Sequence, residues 1–142
     1  MNIAILENLG LKEVEFDPGT VLIEKDSDQK NVFVMILGKV EVRSGDQRLA
    51  VLDGPGTVLG EIAILLGSKP VASVTTLEKS SFYVINDFLN FIGEHPEASI
   101  SVSQVLASRL IATNNHLVFV KEQLQSLQDS LRDYLPAFPD QK

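Results

Sequence analysis

The stretch GEIAILLGSKPVASV, residues 60–74, gathers the residue types in this chain that are best placed to do chemistry. A glycine precedes a short apolar run of helical character, and an acid, Glu61, stands at its start. The first N–H groups of a helix have no intrahelical partner, and the helix dipole adds partial positive charge beside them. Such an end holds anions. A held phosphate also calls for a cation, and Lys69 is the one the stretch offers. A lysine is a point charge without the planar fork of a guanidinium, and Lys69 also reads as an ordinary solvated loop residue.

Other chemistries find little support. Gly54, Gly56 and Gly60 suggest a dinucleotide fingerprint, but the spacing is wrong and no βαβ unit surrounds them. The acidic loop of Asp26, Ser27 and Asp28 lacks the central Gly and closing Glu of a calcium-binding EF-hand loop. There is no cysteine, which excludes disulfides, iron–sulfur clusters and thiolate zinc sites. His95 and His116 are too far apart for a local histidine metal motif. No nucleophile elbow, paired-carboxylate motif or histidine–nucleophile pattern is present, so no catalytic residue, metal or certain cofactor is assigned.

The 142 residues suffice for one domain with a sizeable core, and 44% are hydrophobic and 22% charged, ordinary values for a globular protein. The formal net charge of -7 argues against a nucleic-acid partner, because neutralising phosphates needs clustered Lys and Arg. The start, MNIAILENLGLKE, lacks a basic n-region, and the longest apolar runs are far short of a membrane span. The expected location is the cytoplasm.

Residues 13–85 read as strands and turns. EVEF and TVLIEK flank a DPG turn, where Pro18 fixes φ and Gly19 is free to take positive φ. VFVMIL is a buried strand, Gly38-Lys39 a tight turn and VEVR a half-exposed strand. RLAVL, VASVTTLE and SSFYVI follow, separated by turn residues. Short strands at close spacing indicate an antiparallel sandwich or barrel. At Asn86 the character changes: NDFLNFIGEH begins with a capping residue and carries Phe88, Leu89 and Ile92 at helical spacing.

Pro96 can open a further helix, and no Gly or Pro follows until past Asp133. Along it, Leu106, Leu110, Thr113, Leu117, Val120, Leu124, Leu127, Leu131 and Tyr134 alternate in steps of four and three. That seam, sustained for about four heptads, implies a left-handed coiled coil and a homodimer. The alternative is a helix that packs the stripe on its own barrel. YLPAFPDQK reads as a loose tail. The expected division is a β-rich part at 1–95, a lid and dimerisation helix at 96–134 and a tail at 135–142.

From Phe16 to about Leu110 the chain resembles a cyclic-nucleotide-binding domain. Phe16 and Gly19 fit the opening hairpin, VFVMILGKVEV the strand pair that follows, and Leu52, Pro55 and Gly56 the approach to the phosphate cassette. Gly60, Glu61, Ile62 and Ala63 match G-E-[LI]-A, while Ala72, Ser73 and Val74 match the end of R-x-A-[ST]-V. His95-Pro96-Glu97, Leu106-Ala107 and Arg109-Leu110 fit the helical lid. The resemblance implies a mainly β fold with flanking α: an eight-stranded antiparallel jelly roll with a short N-terminal helix, a short cassette helix and a long C-terminal helix. It implies that cyclic AMP or cyclic GMP is the candidate ligand. Ile62 and Ala63 would then donate to the cyclic phosphate, and Glu61 would accept from the ribose hydroxyl.

By the same alignment an arginine should pair with the phosphate. Counting from Gly60 without gaps, its position holds Pro70, and the following position, often a hydroxyl residue in the family, holds Val71. In the bacterial catabolite-activator type the dimer helix presents a Thr-Ser pair to the adenine, and Thr113-Asn114 is similar. A threonine in an apolar seam is equally explained by its methyl group. The candidate ligand-binding residues are thus Gly60, Glu61, Ile62, Ala63, Lys69, Val71, Ala72, Ser73, Thr113 and Asn114.

The expected function is that of a non-catalytic, dimeric regulatory module whose cassette is degenerate, so that cyclic nucleotides bind weakly or not at all. A scaffold that has lost its ligand and the sensor part of a transcription regulator are the alternatives. The family's regulators carry a DNA-binding helix-turn-helix after the long helix, and the sequence stops at Lys142. A complete chain could not read DNA by that route; a piece of a longer one could. A protein partner is expected, of unknown identity.

Overall fold

Glycine-bearing turns cut the β-rich part into strands that fold back on one another. The computed structural model describes residues 1–132 and Tyr134. After helix α1 (Ile3–Asn8) come β1 (Glu13–Phe16), β2 (Val21–Ile23), β3 (Val32–Leu37), β4 (Lys39–Ser44), β5 (Gln47–Asp53) and β6 (Val58–Leu59). Helix α2 (Glu61–Leu66), β7 (Ser73–Thr76), β8 (Ser80–Ile85), α3 (Phe88–Glu94) and α4 (Pro96–Arg132) follow. One antiparallel sheet has the order β1-β8-β3-β6 and the other β2-β7-β4-β5. This is the eight-stranded roll with flanking helices.

The core lies between the sheets. Ile23, Phe33, Met35, Val40, Leu59, Val74 and Phe82 are buried together, with Phe16 packed against them. The register puts Met35 opposite Phe82 and Phe33 opposite Val84, so alternate residues of β3 and β8 face inward together. Phe16, Phe33 and Phe82 meet edge to face with ring centroids 5.9–6.1 Å apart, the arrangement their quadrupoles favour. Buried Thr76 ties the first turn down, since its hydroxyl donates to the Asp17 carbonyl at 2.7 Å and accepts from Thr20 N–H.

Gly38 joins β3 to β4 at φ +131°, where a Cβ would fall 2.0 Å from Ser80 Oγ and 2.8 Å from Ser80 Cα. Gly38→Ala therefore costs about 3 kcal/mol, combining backbone strain with overpacking. Denaturant unfolding followed by circular dichroism measures it.

The structure departs from the sequence reading in four places. β6 had no counterpart among the strand-like runs, because two residues carry no period. It exists because Val58 and Leu59 pair with Val34 and Phe33, and because Met35 N–H donates to the Thr57 carbonyl and Gly56 N–H to the Met35 carbonyl, each at 2.8 Å. The run VASVTTLE pairs only over Ser73–Thr76. The cap of α3 is Asp87 rather than Asn86, its carboxylate accepting from Asn90 N–H. Leu89 is exposed, and α3 buries Phe88 and partly buries Phe91 and Ile92.

Two compact units result, one spanning Met1–Val105 and one beginning at Leu106. Within the first, the opening of α4 buries Ala98, Ser101 and Val102, and Asn2 N–H donates to Ser101 Oγ at 3.3 Å. The second is the remainder of α4. Its seam residues Leu110, Leu117, Val120, Leu124 and Leu127 are exposed in the single chain, Thr113 with them, while Leu106 and Leu131 are half-buried. Tyr134 is exposed, and the tail expected at 135–142 lies outside the described residues, as does Asp133. Among the described residues no helix is long and apolar enough to cross a membrane.

Candidate functional site

β6 delivers the chain to Gly60, and the site starts there. Gly60 caps α2 with φ +91°, in the left-handed region. A Cβ at this position would lie 2.9 Å from the Asn31 carbonyl oxygen and 3.1 Å from Ile23 Cδ1. The Gln29 side-chain amide donates to the same Asn31 oxygen. The turn thus needs glycine for both conformation and space. Gly60→Ala lowers stability by about 1–2 kcal/mol from the backbone alone; thermal unfolding checks it.

Helix α2 is one and a half turns long and closes at Gly67, φ +63°, with Ser68 N–H donating to the Ala63 carbonyl at 2.8 Å. A glycine at each end in the left-handed conformation isolates the short helix as a loop-borne element. Ile62 and Ala63 lie in its first turn, the place where N–H groups have no intrahelical acceptor. Ala63 is buried, and the Ile62 side chain is half in solvent.

Glu61 is turned inward and only 2% exposed. A buried carboxylate is tolerated when partnered. Among the described residues no buried side-chain polar atom lacks a hydrogen bond, and Glu61 is one of the partnered groups.

The far arm of the cassette is stitched to the loop after β2. Asp26 N–H donates to the Pro70 carbonyl at 2.9 Å, and Lys25 N–H to Ser73 Oγ at 2.9 Å. Asp26 takes φ +63°, a conformation Asp tolerates better than most side chains. Pro70 is buried, Val71 is 78% exposed and Ala72 is half-buried. Lys69 is exposed, and its Nζ lies 3.9 Å from Asp28 Oδ1. An exposed pair of that length is worth about 0–1 kcal/mol, but it puts a carboxylate beside the one cation in the cassette sequence.

Gly60, Glu61, Ile62, Ala63, Lys69, Val71, Ala72 and Ser73 therefore belong to one unit, whereas Thr113 and Asn114 fall on the second, helical unit. The sequence reading missed Gln29, Asn31 and Asp26, which hold the cassette in place. The polar loop DSDQKN was legible, but nothing in its composition marked which backbone groups meet Gly60 and Pro70. Among the described residues no group of histidines and acids could hold a metal ion.

A family model described as the cyclic nucleotide-binding domain matches residues 13–95, more than half of the chain. The chain belongs to the cyclic nucleotide-binding domain family. The matched span takes in every strand, α2 and α3, and stops before α4. A CRP-like cAMP-activated global transcriptional regulator of Mycobacterium tuberculosis is 30% identical over 113 residues, covering 75% of this chain and 50% of the relative. The Pycsar effector protein XpPycTIR of Xanthomonas perforans is 32% identical over 113 residues, covering 78% of this chain and 37% of the relative. The chain thus spans half or less of these curated relatives. The crystal structure of Thermus thermophilus catabolite activator protein superposes with TM-score 0.66 at 22% identity, over 83% of this chain and 58% of that one. That likeness is one of fold: the cyclic nucleotide-binding roll followed by a long helix.

Proposed function

We propose that this chain is a non-catalytic, cytoplasmic regulatory module that dimerises through α4. Its cassette keeps an anion-facing backbone but binds cyclic AMP and cyclic GMP weakly or not at all. One observation carries the reading. At the arginine position stands Pro70, buried, with its carbonyl committed to Asp26 N–H. Proline offers neither a side-chain donor nor an N–H. Charge-assisted hydrogen bonds are worth roughly 1.5–3 kcal/mol each, and an arginine makes two. The helix end that remains contributes only about 0.3–1 kcal/mol, or up to ~2 when partly buried. Lys69, drawn toward Asp28, does not make up the difference.

The relatives' names motivate the ligand class, and a second reading follows from one of them. The similarity to a transcriptional regulator, of which the chain spans half, favours a sensor portion acting through attached segments. In either reading, the exposed seam of α4 supports self-association, and nucleic acid is not a partner of this acidic chain itself. A thermal-shift screen with cyclic AMP, cyclic GMP and inorganic phosphate tests the proposal, because a ligand of the native state raises apparent stability. Nucleotide at about 100 μM should shift Tm by no more than about 2 °C. A large saturable rise at micromolar nucleotide would overturn the weak-binding reading.

A further inference from the structure

A cavity of about 490 Å³ opens between β1 and β2, and none of the residues from Gly60 to Ser73 lines it. β1 and β2 are edge strands of their sheets, and β6, which leads into the cassette, is the opposite edge of the first sheet. The volume is in the range of small-molecule sites. Its lining is graded. Phe33 is buried and Phe16 and Val84 are half-buried, all part of or packed on the core. Asn31 is half-buried, and Lys12 and Asn86 are exposed. An apolar interior is thus met by an ammonium and two carboxamides at its more exposed positions. Lys12 forms no ion pair with any described residue. Its neighbour Glu13 alternates to the other face of β1, and the nearby Asp87 carboxylate is used in capping α3.

We propose that this cavity is a second ligand site, separate from the cassette, for a small amphipathic carboxylate with an aromatic or branched hydrocarbon body. The ring or branch would lie against Phe16 and Phe33, and the carboxylate would meet Lys12 with donors from the amides. The site also has a path to the cassette. Asn31 lines the cavity, and its carbonyl oxygen is the atom closest to where a Gly60 side chain would stand. Occupancy is therefore felt at the cap of α2.

The probe is 2-naphthylacetate, compared with its neutral amide, on the intact chain by calorimetry and amide-resonance mapping. Saturable one-to-one binding is expected, with the acid favoured about tenfold over the amide. Lys12→Met should abolish that preference, and Val14→Trp, at another lining position, should block both probes. Resonance shifts should cluster on β1, β3 and β8 and reach Gly60. No saturable binding at about 1 mM would overturn the proposal, as would an equal affinity for acid and amide. Shifts confined to other surfaces would also overturn it, and they decide the matter even if Val14→Trp fails to fold. None of these outcomes decides whether the cassette binds cyclic nucleotide, because no residue from Gly60 to Ser73 lines the cavity.

Discussion

Pro70→Arg gains affinity for cyclic AMP or cyclic GMP by about ten- to a hundredfold over the unaltered chain, read by titration calorimetry. The expectation rests on what the position keeps. The hydrogen bond from Asp26 uses the Pro70 carbonyl, which any residue supplies. The Ser73 hydroxyl remains held by Lys25 N–H, so the arm should not shift. Burial at position 70 is compatible with an arginine whose methylene stem lies along the covered surface while its head reaches the anion. The guanidinium then supplies the bidentate donor pair that Lys69 cannot. A variant that folds yet shows no gain means that the pocket beside α2 has closed, and the absent charge is then not the reason for weak binding.

Leu117→Glu with Leu124→Glu converts a dimer to monomers at micromolar concentration, measured by sedimentation. Both leucines are more than half exposed in the single chain, in register with Leu110 and Leu131. Burying a leucine is worth about 1.5–3 kcal/mol. Losing both on each of two helices costs at least about 6 kcal/mol, roughly four decades in dissociation constant. Four carboxylates placed in a seam add desolvation and repulsion. A monomeric unaltered chain would refute the seam as an interface. A dimer that survives both substitutions would place the interface elsewhere.

The roll was legible wherever turn chemistry punctuated it. Gly38 and Gly45 both take positive φ, and each separates strands that the runs VFVMIL, VEVR and RLAVL outline. β6 was not legible, since its two residues are strands only by virtue of what β3 offers them. Adjacent Asn86 and Asp87 are both good caps, and only the approach of Asn90 N–H chooses between them. The cassette's departure at Pro70 was visible in the sequence once the resemblance set the alignment. Its burial, and the pairing of Lys69 with Asp28, depend on a loop more than forty residues earlier and arise only from tertiary packing.

Titration calorimetry of the unaltered chain with cyclic AMP and cyclic GMP is the most direct test that the cassette has kept its backbone and lost its charge. The expected dissociation constant is above about 100 μM, or heat too small to fit. A low-micromolar constant, abolished by Glu61→Ala and insensitive to Lys69→Ala, would contradict it. Backbone and ribose contacts would then suffice without the arginine.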